Sequence, residues 1–144
     1  MNFNPLTIAP PLNDAYAQIS IAPSGPLAFI AGQVAIDRAG QLVGPNDHAL
    51  QAAQCFRNIA DVLKALNAHP FQMVRMTINV VGHRDELVEP IFAAGQEVFG
   101  DHWPVCASIF LGVQALGHSD WLIEVDAIVA LKKRPEAGPQ TVDV

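Results

Sequence analysis

The chain has 144 residues, 51% of them hydrophobic and 15% charged, with a formal net charge of −6. One domain is the natural expectation at this length, and a core of this size needs no disulfide or metal to hold it. The acidic balance excludes the basic footprint of a duplex-binding surface, since the one basic run, Lys132-Lys133-Arg134, is short and close to the end.

The opening, Met1 to Asp14, holds Pro5, Pro10 and Pro11 and reads as an extended arm or loop. A first strand is expected over Tyr16–Ala22, stopped by the turn cluster Pro23-Ser24-Gly25-Pro26. A second is expected over Leu27–Ile36. Its apolar run Leu27-Ala28-Phe29-Ile30-Ala31 suggests burial on both faces. Gly32 interrupts that run, which marks a bulge or a close approach by another group. Asp37 to Gly44 reads as a polar loop.

The strongest helical pattern follows. Leu50, Ala53, Phe56, Ile59, Ala60, Leu63 and Leu66 recur at spacings suited to a helix. Asn46 or Asp47 serves as N-cap, Asn67 suits the left-handed position after the last turn, and Pro70 blocks continuation. Phe71–Val81 alternates cleanly as a strand, with Val74, Met76, Ile78 and Val80 on one face and Arg75, Thr77 and Asn79 on the other. A second helix is expected between Asp85 and Gly100, with regular structure from near Glu89 because of Pro90.

Two strands close the domain, Val105–Val113 and Trp121–Leu131. In the first, Ala107, Ile109 and Leu111 oppose Cys106, Ser108 and Phe110. In the second, Ile123, Val125, Ala127 and Val129 oppose Leu122, Glu124, Asp126 and Ile128. The element order is β-β-α-β-α-β-β, an α/β (α+β) arrangement with a single domain over residues 1–131 and a flexible tail over 132–144. Two helices cover one face of a mixed sheet. The other face, left bare and apolar, is expected to bury itself against further subunits.

Cys55 and Cys106 form neither a disulfide framework nor a zinc-ligand spacing, which fits a reduced, cytoplasmic compartment. The first residues lack the basic and apolar regions of a signal peptide, and no run approaches the roughly 18 apolar residues of a membrane span.

Few constellations carry chemistry. Glu124 and Asp126 share a face of an otherwise apolar strand. Burial would raise their pKa values and suit them to acid–base work; the plainer reading is a pair of interface carboxylates with hydrogen-bond partners. Cys106 is a small buried hydrophobe or, with a base beside it, a nucleophile. Arg75, Thr77 and Asn79 line a pocket or face solvent. The histidines His48, His69, His83, His102 and His118 form no ligand set, so no metal is expected. No phosphate-binding glycine loop and no nucleophile elbow is present.

Several of these residues together resemble the RidA/YjgF superfamily. They are Tyr16, the segment Ala31-Gly32-Gln33, the helix Gln51–Leu66 and the closing segment Leu122–Ala130. The resemblance spans roughly Ala15 to Leu131. It implies a chorismate-mutase-like (bacillus-type) two-layer domain with a mixed sheet of about six strands, assembled as a homotrimer with small-molecule clefts between neighbouring subunits. It also implies hydrolysis of reactive enamines and imines without metal or organic cofactor. In that family an arginine in a Pro-x-Arg segment grips the substrate carboxylate, and an acid on the last strand positions water.

Carried over residue by residue, Glu124 is the catalytic acid. Tyr16 and Gly32 line the cleft. Pro104-Val105-Cys106 is the Pro-x-Arg segment with Cys106 in the arginine's place, and Ala107 follows it with backbone groups suited to a developing oxyanion. Phe92 stands where the active family often has asparagine. A thiol carries no fixed positive charge, so the grip on a carboxylate is lost, a contact worth about 1.5–3 kcal/mol. The chain thus resembles the arginine-less branch. The expectations are a hydrolase or deaminase of imine-like or related small carbonyl compounds, or a non-catalytic metabolite binder using the same cleft; a ribonuclease fits the acidic charge poorly.

Overall fold

The long elements of this chain share one buried face, and the rest of the architecture follows from covering it. The structure, a computed structural model, describes residues 1–133; the remainder of the expected tail lies outside the described residues. The six strands and two α-helices are β1 (Asn2–Phe3), β2 (Ile19–Ser20), β3 (Leu27–Val34), α1 (His48–Ala65), β4 (Met73–Val81), α2 (Val88–Phe99), β5 (Ala107–Val113) and β6 (Ile123–Ala130).

The helix α1 forms where its periodicity places it. The Asp47 carboxylate accepts the Leu50 N–H at 2.9 Å, meeting one of the four donors a helix start leaves free. Its buried stripe is Ala52, Ala53, Phe56, Ile59 and Leu63, flanked by Gln51 and Cys55. Leu50, expected in that stripe, is 54% exposed. It lies on the far side of the helix, over Gly44, where no side chain would fit. Asn67 takes the left-handed conformation at φ 50°, and the chain leaves the helix there.

The helix α2 follows a single 3-10 turn, Asp85–Leu87. Pro90 is tolerated because it lies in the first turn, where a backbone N–H has no intrahelical partner.

The main sheet runs β3-β6-β4-β5, antiparallel except for the parallel pair β4–β5. Met76, Ile78 and Val80 on β4, with Ile123, Val125, Ala127 and Val129 on β6, face the helices and form the centre of the core. One extra residue at the start of β4 changes the expected alternation. Met73 pairs with Val129 and Arg75 with Ile128, so Val74 is bulged out and Met73 is the buried residue.

Two expectations near the N-terminus need correction. The strand expected over Tyr16–Ala22 contracts to Ile19–Ser20, because its partner is the two-residue β1, which ends before Pro5. Ahead of it only an isolated bridge joins Ala17 to Ala107. The run Leu27–Ala31 is not buried on both faces: β3 is an edge strand, Ile30 alone of this run is buried, and Phe29 is 74% exposed.

A buried polar clamp closes the core at the β6 end. The Gln51 side-chain amide donates to the carbonyls of Gly44 (3.2 Å) and Asp120 (2.9 Å), and its oxygen accepts the Leu122 N–H at 2.8 Å. Among the described residues, no helix is long and apolar enough to cross a membrane.

Candidate functional site

The residues singled out from the sequence fall into two groups. One surrounds a cavity of about 990 Å³ between α2, the segment Leu12–Tyr16 and the edge strand β5. This volume is at the upper end of the range typical for small-molecule sites. Tyr16 and Phe92 line it, with Met76, Ile78, Trp103 and Phe110 supplying much of the apolar wall.

The walls are locked by aromatic packing. Phe92 stacks on Phe110 with ring centres 5.6 Å apart and planes at 19°, and tilts against Trp103 at the same separation. Trp103 fits because Gly95 has no side chain; a Cβ there would overlap the indole. The indole N–H donates to the Ala15 carbonyl at 2.8 Å, which ties the N-terminal segment over the cavity mouth.

Cys106 lies behind this wall and is fully buried. Its carbonyl accepts the Ala17 N–H at 2.9 Å and the Ser108 hydroxyl at 3.0 Å. Burial pushes the thiol up to about 11; the Ser108 hydroxyl and the positive charge of Arg75 oppose that rise without cancelling it. Arg75 pairs with Ala107 across β4 and β5, so an arginine far away in sequence is a spatial neighbour of the segment lacking one. The Ala107 N–H donates to the Ser20 hydroxyl at 2.8 Å, and an incoming oxyanion would have to displace that bond.

The second group lies across the sheet. Glu124 on β6 and Gly32 on β3 meet where β3 carries its own extra residue, between Ile30 and Gln33. The Glu124 side chain occupies the space a Cβ on Gly32 would take. The bulge and the close approach expected at Gly32 therefore occur together. Glu124 is half-buried on the helix-free face; its backbone carbonyl accepts from the Asn79 amide at 3.2 Å.

The two groups do not meet within one chain. Ala107 is level with Arg75 on β4, while Glu124 is level with Asn79, four residues further on and on the other side of β4. Strand rise and spacing place Ala107 and Glu124 about 16 Å apart.

The sequence reading missed Trp103, Phe110, Asp85 and Glu89 as cavity residues. Gly95 inside α2 was the available signal, since a glycine in a helix interior often accommodates a bulky neighbour. Among the described residues, no group of three or more His, Cys, Asp or Glu side chains could hold a metal ion.

A two-layer α+β domain with two helices on one face of the sheet and a cavity beside its edge strand defines the class. Residues 7–131 match the family model described as Endoribonuclease L-PSP, and the chain belongs to this family, within the RidA/YjgF superfamily. Among solved structures, it is similar to YyfB of Yersinia pestis, a protein of unknown function of the conserved Rid family. That match has 33% identity and a TM-score of 0.82, covering 91% of this chain and 98% of that one. The YjgF gene product of E. coli matches with 24% identity and a TM-score of 0.62, covering 85% and 92%. E. coli TdcF with bound serine matches with 19% identity and a TM-score of 0.63, covering 90% and 98%. These last two likenesses speak for the fold. A comparison with curated protein sequences returns no match.

Proposed function

We propose that this protein is a hydrolase of small imine-like or related carbonyl compounds, with clefts completed by neighbouring copies in a homotrimer. The observation that carries this reading is the split of the family-matched residues. Tyr16, Phe92, Cys106 and Ala107 gather at the β5 edge, and Gly32 and Glu124 near the β3 edge of the same sheet. A site using both groups has to be built across two chains. The helix-free face between them carries apolar residues such as Phe29 and Ile109, which association would bury.

In the proposed step Glu124 accepts a proton from water as the water oxygen bonds to the imine carbon. The C=N π pair moves to nitrogen, which takes up the proton that Glu124 holds and so restores the carboxylate. Collapse of the carbinolamine forms the carbonyl and releases ammonia, so imine and water become carbonyl and ammonia. Cys106 in the arginine position leaves this cleft without the bidentate clamp on a substrate carboxylate, so substrates lacking that group are favoured.

The test is ammonia release from freshly generated imines with and without a carboxylate, by the wild type and Glu124→Ala. Faster release from the uncharged imine, lost in the variant, supports the reading. Release no faster than the spontaneous rate sinks it and leaves a non-catalytic metabolite binder, the second reading, which the loss of the arginine also favours. The family description names an endoribonuclease, but a net charge of −6 weighs against an RNA groove. RNA cleavage that co-purifies with the protein would reverse that judgement.

A further inference from the structure

The cavity wall formed by Leu12–Tyr16 is held differently from the others. At one end Pro11 is buried, with its φ fixed by the ring at −57°. At the other end Ala17 is buried, bridged to Ala107, and its N–H donates to the Cys106 carbonyl at 2.9 Å. Between these anchors Leu12, Asn13 and Asp14 are exposed, the apolar Leu12 by 76%. Little buried surface therefore resists lifting of these residues.

Asn13 and Asp14 also take the left-handed conformation in succession, at φ 52° and 53°. Residues with a Cβ avoid that region, and Asn and Asp tolerate it best. The pair closes a turn in which the Ala15 N–H donates to the Leu12 carbonyl at 3.1 Å. Among the described residues, the segment between Pro11 and Ala17 has one hydrogen bond to the rest of the domain, from the Trp103 indole N–H to the Ala15 carbonyl at 2.8 Å. Trp103 is wedged over Gly95 and against Phe56, both in the core, so the movable partner of that bond is Ala15.

We infer that Leu12–Tyr16 is a hinged strap that gates the cavity. Asn13 and Asp14 are the hinge, and the bond between the Trp103 indole and Ala15 is the latch, which is closed in this structure. Rotation of the left-handed pair into the ordinary backbone regions breaks the Leu12–Ala15 turn and the latch together. It lifts Ala15 and Tyr16 away from Trp103 and opens the apolar wall to solvent. The inference rests on reading this cavity as part of the substrate cleft, and on nothing in the reaction itself.

The test uses the full-length protein with Trp121→Phe, which leaves Trp103 as the sole tryptophan of the two in the sequence. Hydrogen exchange of the Trp103 indole N–H and the Ala15 amide is followed by NMR, and quenching of Trp103 fluorescence is measured with acrylamide. Asn13→Val places a β-branched residue in the left-handed region and should favour the open strap. The expected result is exchange about tenfold faster at both positions and stronger quenching, with the β6 amides of Val125 and Ala127 unchanged. Asn67→Val puts the same strain at the left-handed residue after α1, away from the cavity, and should leave Trp103 and Ala15 at the parent rates. Four outcomes overturn the inference. Trp103 exchange is unchanged in Asn13→Val; it rises together with that of β6, which means general loosening; it rises without stronger quenching, which means the strap moves but does not gate; or Asn67→Val has the same effect. No substrate enters these measurements, so failure of the hydrolase reading, scored by ammonia release, is distinguishable from failure of the strap.

Discussion

Gln51 shows how much one buried polar side chain can hold. It is the one fully buried polar side chain in the core of the described residues, and it joins α1, the Gly44 turn and the entry to β6 through three hydrogen bonds. Gln51→Leu keeps the volume but strands the Leu122 N–H and two carbonyls. Urea denaturation should show a loss of about 2–4 kcal/mol; a loss below 1 kcal/mol, about the size of one ordinary hydrogen bond, would mean water replaces the amide.

The two cysteines make a different residue-scale prediction. Burial pushes Cys55 up to about 12 and Cys106 up to about 11. At pH 8 the Cys106 thiolate is then on the order of one part in a thousand, and iodoacetamide should label it at least a hundredfold more slowly than a free thiol. Labelling at the free-thiol rate would restore Cys106 as a candidate nucleophile. The sign of the pH effect follows from the same shifts. In the unfolded chain these thiols ionise near 9, while the folded protein keeps them protonated to about 11 and 12. Their contribution to stability is therefore whole below pH 9 and is lost as pH rises from 9 toward the folded values. The denaturation midpoint of Cys55→Ala should fall less steeply across that window than that of the wild type; equal slopes would contradict it.

At the scale of elements, the crossing of β3 and β6 ties backbone geometry to the proposed chemistry. The extra residue in β3 and the bare Cα of Gly32 make room for the Glu124 side chain. Gly32→Ala should push that carboxylate aside. The expected result is a folded protein destabilised by about 1–3 kcal/mol, the usual range for overpacking, with ammonia release reduced toward that of Glu124→Ala. Full release at wild-type rate would separate Gly32 from the site.

Much of this level was legible in the sequence. The stripe of α1, its Asp47 cap and the alternation of β6 depend on neighbours along the chain, and periodicity reports them directly. The bulge at Val74 was not legible, because an extra residue in one strand is defined only against its partner. The shortened β2 was hidden for the same reason: its length is set by β1, distant in sequence.

For the whole molecule the decisive feature is the helix-free sheet face. Phe29 is largely exposed in the single chain, so Phe29→Asp should cost little folding stability, within about 0.5 kcal/mol for a surface change. If neighbouring copies cover this face, the same change should shift light-scattering mass from an assembly to a single chain. An unchanged mass would remove the intersubunit cleft from the functional proposal.

The sequence by itself determined the order of the two helices and the four strands of the main sheet, and the helix-facing side of β6, because each is a local pattern. Tertiary structure alone decided which of those residues meet. It put Arg75 beside Ala107, Glu124 over Gly32, and Asp14 across a cavity from Asp85 and Glu89. Strand register and helix packing made those choices, and both depend on pairings between segments that the chain separates by dozens of residues.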